Sequence, residues 1–124
     1  MLKKLHLKSL THKGEIIADA NNGKIEVKGT FTYDQKDLFA ELDAWMDRYF
    51  EDPQELTQVF FSVDYVPKST SKQILNLISK INNSYSGRDK IEIFWHYTSD
   101  DEDFQKAGED FQFFAKVPFQ LVKY

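Results

Sequence analysis

Apolar residues recur along this chain with two different periods, and the changes of period divide it into elements. In "GEIIADANNGKIEVKG" (14–29), Ile25 and Val27 alternate with Lys24, Glu26 and Lys28. That is the period of a half-buried strand. Asn21-Asn22-Gly23 supplies residues that tolerate positive φ, so the stretch predicts a hairpin. In "DLFAELDAWMDRYF" (37–50) the spacing becomes three-and-four. Leu38, Leu42, Trp45 and Tyr49, with neighbouring Phe39, Met46 and Phe50, form one apolar face of a helix. Asp34 is its candidate N-cap, and Pro53 follows its end. "TQVFFSV" (57–63) is β-branched, aromatic and apolar nearly throughout, which predicts a central strand covered on both faces.

A second helix is expected from about Thr70 to Asn83, with Ile74, Leu77, Ile78, Ile81 and Tyr85 on its stripe and Gly87 after it. "KIEIFWHY" (90–97) reads as a strand with Ile91, Ile93 and Trp95 on one face. "DDEDFQKAGEDFQFFAK" (100–116) opens with acids, as helix N-termini prefer, and places Phe104, Ala107, Phe111 and Phe114 on a buried stripe. "FQLVKY" is a last short strand after Pro118. Trp95 and Phe111 are expected in the core rather than as ligand-stacking groups. The predicted order is ββαβαβαβ. Helices between strands imply right-handed crossovers and parallel pairs, and the first hairpin is antiparallel. The expected fold is α/β: one domain over 1–124, a small mixed sheet flanked by about three helices.

Composition narrows the function. The 124 residues are 41% hydrophobic, and the aromatics comprise 11 Phe, 6 Tyr and 2 Trp, enough for a packed core. With no Cys, disulfides, thiolate metal sites and Cys nucleophiles are excluded. No apolar run reaches the roughly 20 residues that span a bilayer. "MLKKLHLKSL" lacks the apolar stretch of a signal peptide, so the expected compartment is the cytoplasm. A net charge of −4 disfavours nucleic acid. The charge is uneven. Residues 1–13 carry Lys3, Lys4, Lys8 and Lys13 with no acid, whereas Asp100, Asp101, Glu102, Asp103, Glu109 and Asp110 face only Lys106. A frayed basic terminus and a solvated acidic face account for this pattern, and so does partner binding.

Catalytic signals are thin. His6, His12 and His96 have no metal-ligand spacing, and His96 reads as a structural imidazole. No nucleophile elbow or phosphate loop occurs. As a calcium loop, the acidic run fails: counted from Asp101, Lys106 stands where Gly is needed and Gln112 where Glu is needed. No metal or cofactor is expected. A small enzyme using His96 and the acidic cluster is the remote alternative. The stretch that stands out is "YVPKSTSK" (65–72), where a strand gives way to a helix and Ser69, Thr70 and Ser71 follow one another. One hydroxyl serves as an N-cap. The others either decorate the turn or accept a phosphate, which a helix N-terminus favours. Loops at the carboxyl ends of central strands are exposed yet rigidly anchored, so the face around 64–73 is the expected partner surface, with acidic steering from 100–110.

This chain resembles the SiaC family of regulatory phosphoproteins. "YVPKSTSK" falls on the family's tyrosine, asparagine-threonine-serine-serine and lysine pattern. "IFWHYTSDDEDFQKAGEDF" (93–111) matches its tryptophan-histidine-tyrosine, acidic run and glycine-glutamate-aspartate-phenylalanine; "VPF" (117–119) matches its ending, and Trp45 a tryptophan of its first helix. The resemblance implies a fold similar to the anti-anti-sigma (STAS) domain and a non-enzymatic switch. By resemblance, a partner kinase phosphorylates a threonine and a PP2C-type phosphatase restores it. The unphosphorylated form activates a diguanylate cyclase, promoting cyclic-di-GMP signalling and biofilm formation. Two segments depart from the pattern. Aligned without gaps, the family's asparagine falls on Pro67 and its phosphothreonine on Lys68, which cannot accept a phosphoryl group; "TFTYDQK" (30–36) is also altered. Either the acceptor moves to Ser69, with Thr70 second, or Lys68 locks the protein as a constitutive binder. The partner residues expected from the position of this face and from the acidic run are Asp64, Tyr65, Lys68, Ser69, Thr70, Ser71, Lys72, Asp100, Asp101 and Asp103.

Overall fold

The computed structural model describes residues 2–8, 13–31, 36–65, 68–84, 90–97 and 102–123, without the side chains of Lys36, Asp64, Tyr65 and Ser69. Along the chain come β1 (Leu5–Lys8), β2 (Gly14–Asp19), β3 (Lys24–Thr30), α1 (Lys36–Tyr49), β4 (Leu56–Tyr65), α2 (Lys68–Ser84), β5 (Lys90–Tyr97), α3 (Glu102–Phe114) and β6 (Phe119–Lys123). The strands form one sheet in chain order, β1-β2-β3-β4-β5-β6. β1–β2 and β2–β3 are antiparallel, and every later pair is parallel.

The expected hairpin forms around Gly23, at φ 64°. Asp19 closes the turn: its carboxylate accepts from the Asn21 N–H at 3.0 Å and from Asn22 Nδ2 at 2.7 Å. These bonds, that from Asn22 foremost, hold the Asp19 carboxyl below its ordinary pKa. A side chain at residue 23 would press on the Leu56 carbonyl at 2.4 Å, so glycine is required by contact as well as by φ.

The helices lie in one layer. Ile16, Val27, Phe61 and Trp95 stand side by side in register across four strands, and all are buried. They share a single core with Leu42 and Met46 of α1, Ile74 and Ile78 of α2, and Phe111 of α3. Three right-handed crossovers that advance in the same direction must place their helices on the same side. The alternate residues Gln58, Phe60 and Ser62 point to the other face and are half-exposed. The expectation of a central strand covered on both faces is therefore corrected. The apolar run of β4 combines a core residue, Phe61, with an open-face residue, Phe60, which stacks on Phe94 at 5.0 Å.

Three further differences have physical causes. The basic amino-terminal segment contributes β1, an edge strand absent from the predicted order, which becomes a strand only through pairing with β2. Helix α2 begins at Lys68, so Ser69 lies in its first turn rather than before it. In α3 Phe111 is buried and Phe104 and Ala107 are half-buried, but Phe114 is exposed, because the helix ends there and the chain turns toward β6. Gly108 takes the inner position instead, where an added Cβ would lie 2.5 Å from Trp95 Cδ1. The Trp95 indole N–H donates to the Phe104 carbonyl at 2.9 Å, as befits a core residue with a polar edge. Asp34, Tyr85 and Gly87 lie outside the described residues.

Candidate functional site

Strands β3, β4 and β5 run parallel, so their carboxyl ends share one end of the sheet. The helices that follow them, α1, α2 and α3, therefore all begin there. This brings the first turn of α2, from Lys68 to Lys72, to the same end as Asp103 in the first turn of α3. Asp100, Asp101, Val66 and Pro67 lie outside the described residues, as do the side chains of Asp64, Tyr65 and Ser69.

Within α2 the hydroxyl cluster divides. Thr70 is only 2% exposed, and its Oγ1 donates to the Phe31 carbonyl at 3.2 Å, across 39 positions of sequence. The hydroxyl fastens the start of α2 to the end of β3. This partner had no sequence signal, since the acceptor is a backbone atom just past a distant strand. Ser71 is half-buried, whereas Lys68 and Lys72 are exposed. The first turn of α2 contains no acid, so the partial positive charge of a helix start is reinforced there by two lysines. Such an end attracts an anion. Farther along, Lys80 pairs with Asp43 at 3.3 Å and with Asp47, binding α2 to α1. The hydrogen bond to Asp47 is the main reason the Lys80 ammonium titrates above its ordinary value.

His96 sits on the open sheet face, half-buried, with its ring 6.1 Å from that of Phe60. Among the described residues no group of three or more His, Asp or Glu side chains is placed to hold a metal ion. No described helix is long and apolar enough to cross a membrane.

Over 97% of the chain and 99% of the other, the fold matches that of SiaC in the crystal structure of the Pseudomonas aeruginosa diguanylate cyclase SiaD in complex with its activator SiaC, with a TM-score of 0.87 and 20% identity. A separate structure of Pseudomonas aeruginosa SiaC matches with a TM-score of 0.86 and 19% identity, covering 98% of this chain and 99% of that one. An uncharacterized protein of Pseudomonas aeruginosa (strain UCBPP-PA14) is 20% identical over 118 residues, 94% of each chain. The family model described as SiaC family regulatory phosphoprotein matches residues 7–124, and the chain belongs to that family.

Proposed function

We propose that this protein is a non-enzymatic cytoplasmic regulator that, unphosphorylated, binds and activates a diguanylate cyclase and so promotes cyclic-di-GMP signalling and biofilm formation. The observation that carries the reading is the match of 97% of the chain to an activator whose structure was solved on a cyclase. The contact face is the carboxyl end of β4 with the first turn of α2: Asp64, Tyr65, Lys68, Ser69, Ser71 and Lys72, with Asp103 at the same end of the sheet. Phosphate transfer from ATP to the Ser69 oxygen by a partner kinase adds about two negative charges to that face and releases the cyclase. A PP2C-type phosphatase restores it. Thr70, the second acceptor, would have to leave its bond to Phe31 before a kinase could reach it.

The test has two arms. Purified protein added to the partner cyclase should raise cyclic-di-GMP production, and alanine at Lys68 and Ser69 should weaken binding. Incubation with the partner kinase and ATP should add one phosphate by intact mass, lost in Ser69→Ala. A second reading is favoured by Lys68, which is exposed at the first position of α2 where the family pattern has its threonine. There the protein is a constitutive binder. Unchanged mass after kinase treatment, with cyclase activation intact, selects that reading.

A further inference from the structure

The two edges of the sheet differ in charge: toward β6 exposed acids are mixed with Lys106, Lys116 and Lys123, whereas along β1 the exposed charges are lysines. At the β6 end, α3 presents Glu102, Asp103, Glu109 and Asp110 to solvent. At the β1 end, Lys3, Lys4 and Lys8 are exposed and no acid occurs before Glu15. β1 is the terminal strand, so among the described residues its outer backbone groups have no strand partner.

Two cation-rich depressions flank this strand, one on each face; a third, beside Lys4, is balanced in charge, with Lys24 set against Asp19 and Glu26. On the helix side an open groove of about 860 Å³ is lined by Lys3, Lys4 and Arg48 together with Leu2, Leu5 and Trp45, with Glu51 its single acid. On the open face a second groove is lined by Lys8, Lys13 and Lys28, with Gly29 and Ser62. Its one acid, Glu15, is already bonded to His6 at 2.6 Å and paired with Lys28 at 3.4 Å. Lysines on an edge strand discourage sheet-to-sheet aggregation, and that role alone would be met by Lys8 and its neighbours on β1. It does not call for cations on α1 and β3 around concave surfaces.

The edge is also fixed in place. Leu5 through Lys8 pair in register with Ala18 through Glu15. The Trp45 indole N–H donates to the Lys3 carbonyl at 2.8 Å, and that ring stacks on Tyr49 at 5.2 Å. A rigid, unpaired, basic edge suits an extended chain of opposite charge.

We propose that the β1 edge docks an extended acidic segment of a protein partner, which adds to the sheet as a seventh strand. Backbone pairing with Leu5–Lys8 supplies the register, and carboxylates on the alternate faces of the segment enter the two lysine-lined grooves. A second copy of this chain is a poor occupant. Its own β1 would bring Lys3, Lys4 and Lys8 against their equals, and its acidic run 102–110 is helical.

The test uses the full chain, labelled with nitrogen-15, and a short synthetic peptide built on the repeat Glu-Glu-Val-Val, which puts carboxylates on both faces of a strand. The expected result is slowed exchange and shifted amide signals at Leu5–Lys8, with binding that weakens as salt rises. Replacing Lys4 and Lys8 by Gln should weaken binding about tenfold or more, with the remaining amide spectrum unchanged. A twin peptide with lysine in place of each glutamate should leave the spectrum unaltered. Equal response to both peptides, shifts confined to residues 68–72, no shifts, or concentration-dependent self-association through β1 would each overturn the proposal.

Discussion

Phe60 and Phe61 are adjacent on β4 and chemically identical, yet they inhabit different regions of the molecule. Phe61 is fully buried beneath the helices, 5.8 Å from the ring of Trp95. Phe60 lies on the uncovered face, stacked on Phe94 and bordered by Glu26, its register partner from β3. The difference is set by topology. A chain that always crosses over in one direction covers one face of its sheet and leaves the other to side-chain ladders. Burial here follows the path of the chain rather than the hydrophobicity of the residue.

The largest effects should separate the two faces directly. Phe61→Ala should destabilise the fold by about 3–5 kcal/mol in denaturant unfolding, the usual cost of emptying a core aromatic site. Phe60→Ala should cost only about 1 kcal/mol beyond its partial burial, the worth of an aromatic pair. Equal losses at the two positions would mean that something covers the open face. Next comes Gly108→Ala, which should cost about 1–3 kcal/mol by overpacking against Trp95 and Leu121, whose side-chain atoms lie 2.5 and 2.7 Å from the added Cβ. An intact melting temperature in this variant would place α3 farther from the sheet.

At the rim of the covered layer, Thr70→Val keeps the shape but removes the hydroxyl that reaches Phe31. The loss should be about 1 kcal/mol, the net worth of one hydrogen bond, with faster amide exchange in the first turn of α2. The smallest effect belongs to the open face. The Glu15 carboxyl is held below its ordinary pKa, first by its hydrogen bond to His6 and then by Lys28, against the opposing pull of partial burial. A carboxyl depressed in the folded state stabilises the fold above its unfolded pKa. That contribution fades as pH falls through the folded value. Glu15→Gln should therefore flatten the acid limb of the stability curve slightly while leaving stability differences among the core variants unchanged.

Much of the covered face was legible in the sequence. Ile74, Leu77, Ile78 and Ile81 repeat at helical spacing, and all are buried; Ile91, Ile93 and Trp95 alternate and all face the helices. Trp95 and Phe111 take their expected core places. In each case local periodicity and tertiary packing agree. What escaped depends on contacts distant in sequence. "LHLK" alternates over only four residues and becomes a strand by lying beside β2. An unbroken apolar strand is compatible with two covered faces or with one covered face and an aromatic ladder, and only the crossover directions decide. The strand-to-helix junction with its cluster of hydroxyls was legible too, and β4 does pass into α2 there. Which hydroxyl serves structure could not be read, because the acceptor for Thr70 is a main-chain oxygen on another element.

Strand order bears on how the chain folds. Each strand pairs with the next one in sequence, from β1 to β6, so no pairing waits for a distant segment. Loop-closure entropy is kept low, and sheets built from near neighbours assemble faster than those whose central strands come from opposite chain ends. During synthesis the β1–β3 meander is complete before α1 emerges. Each later βα unit then adds one strand to a growing edge, and the nascent sheet always offers the next segment a template of matching register.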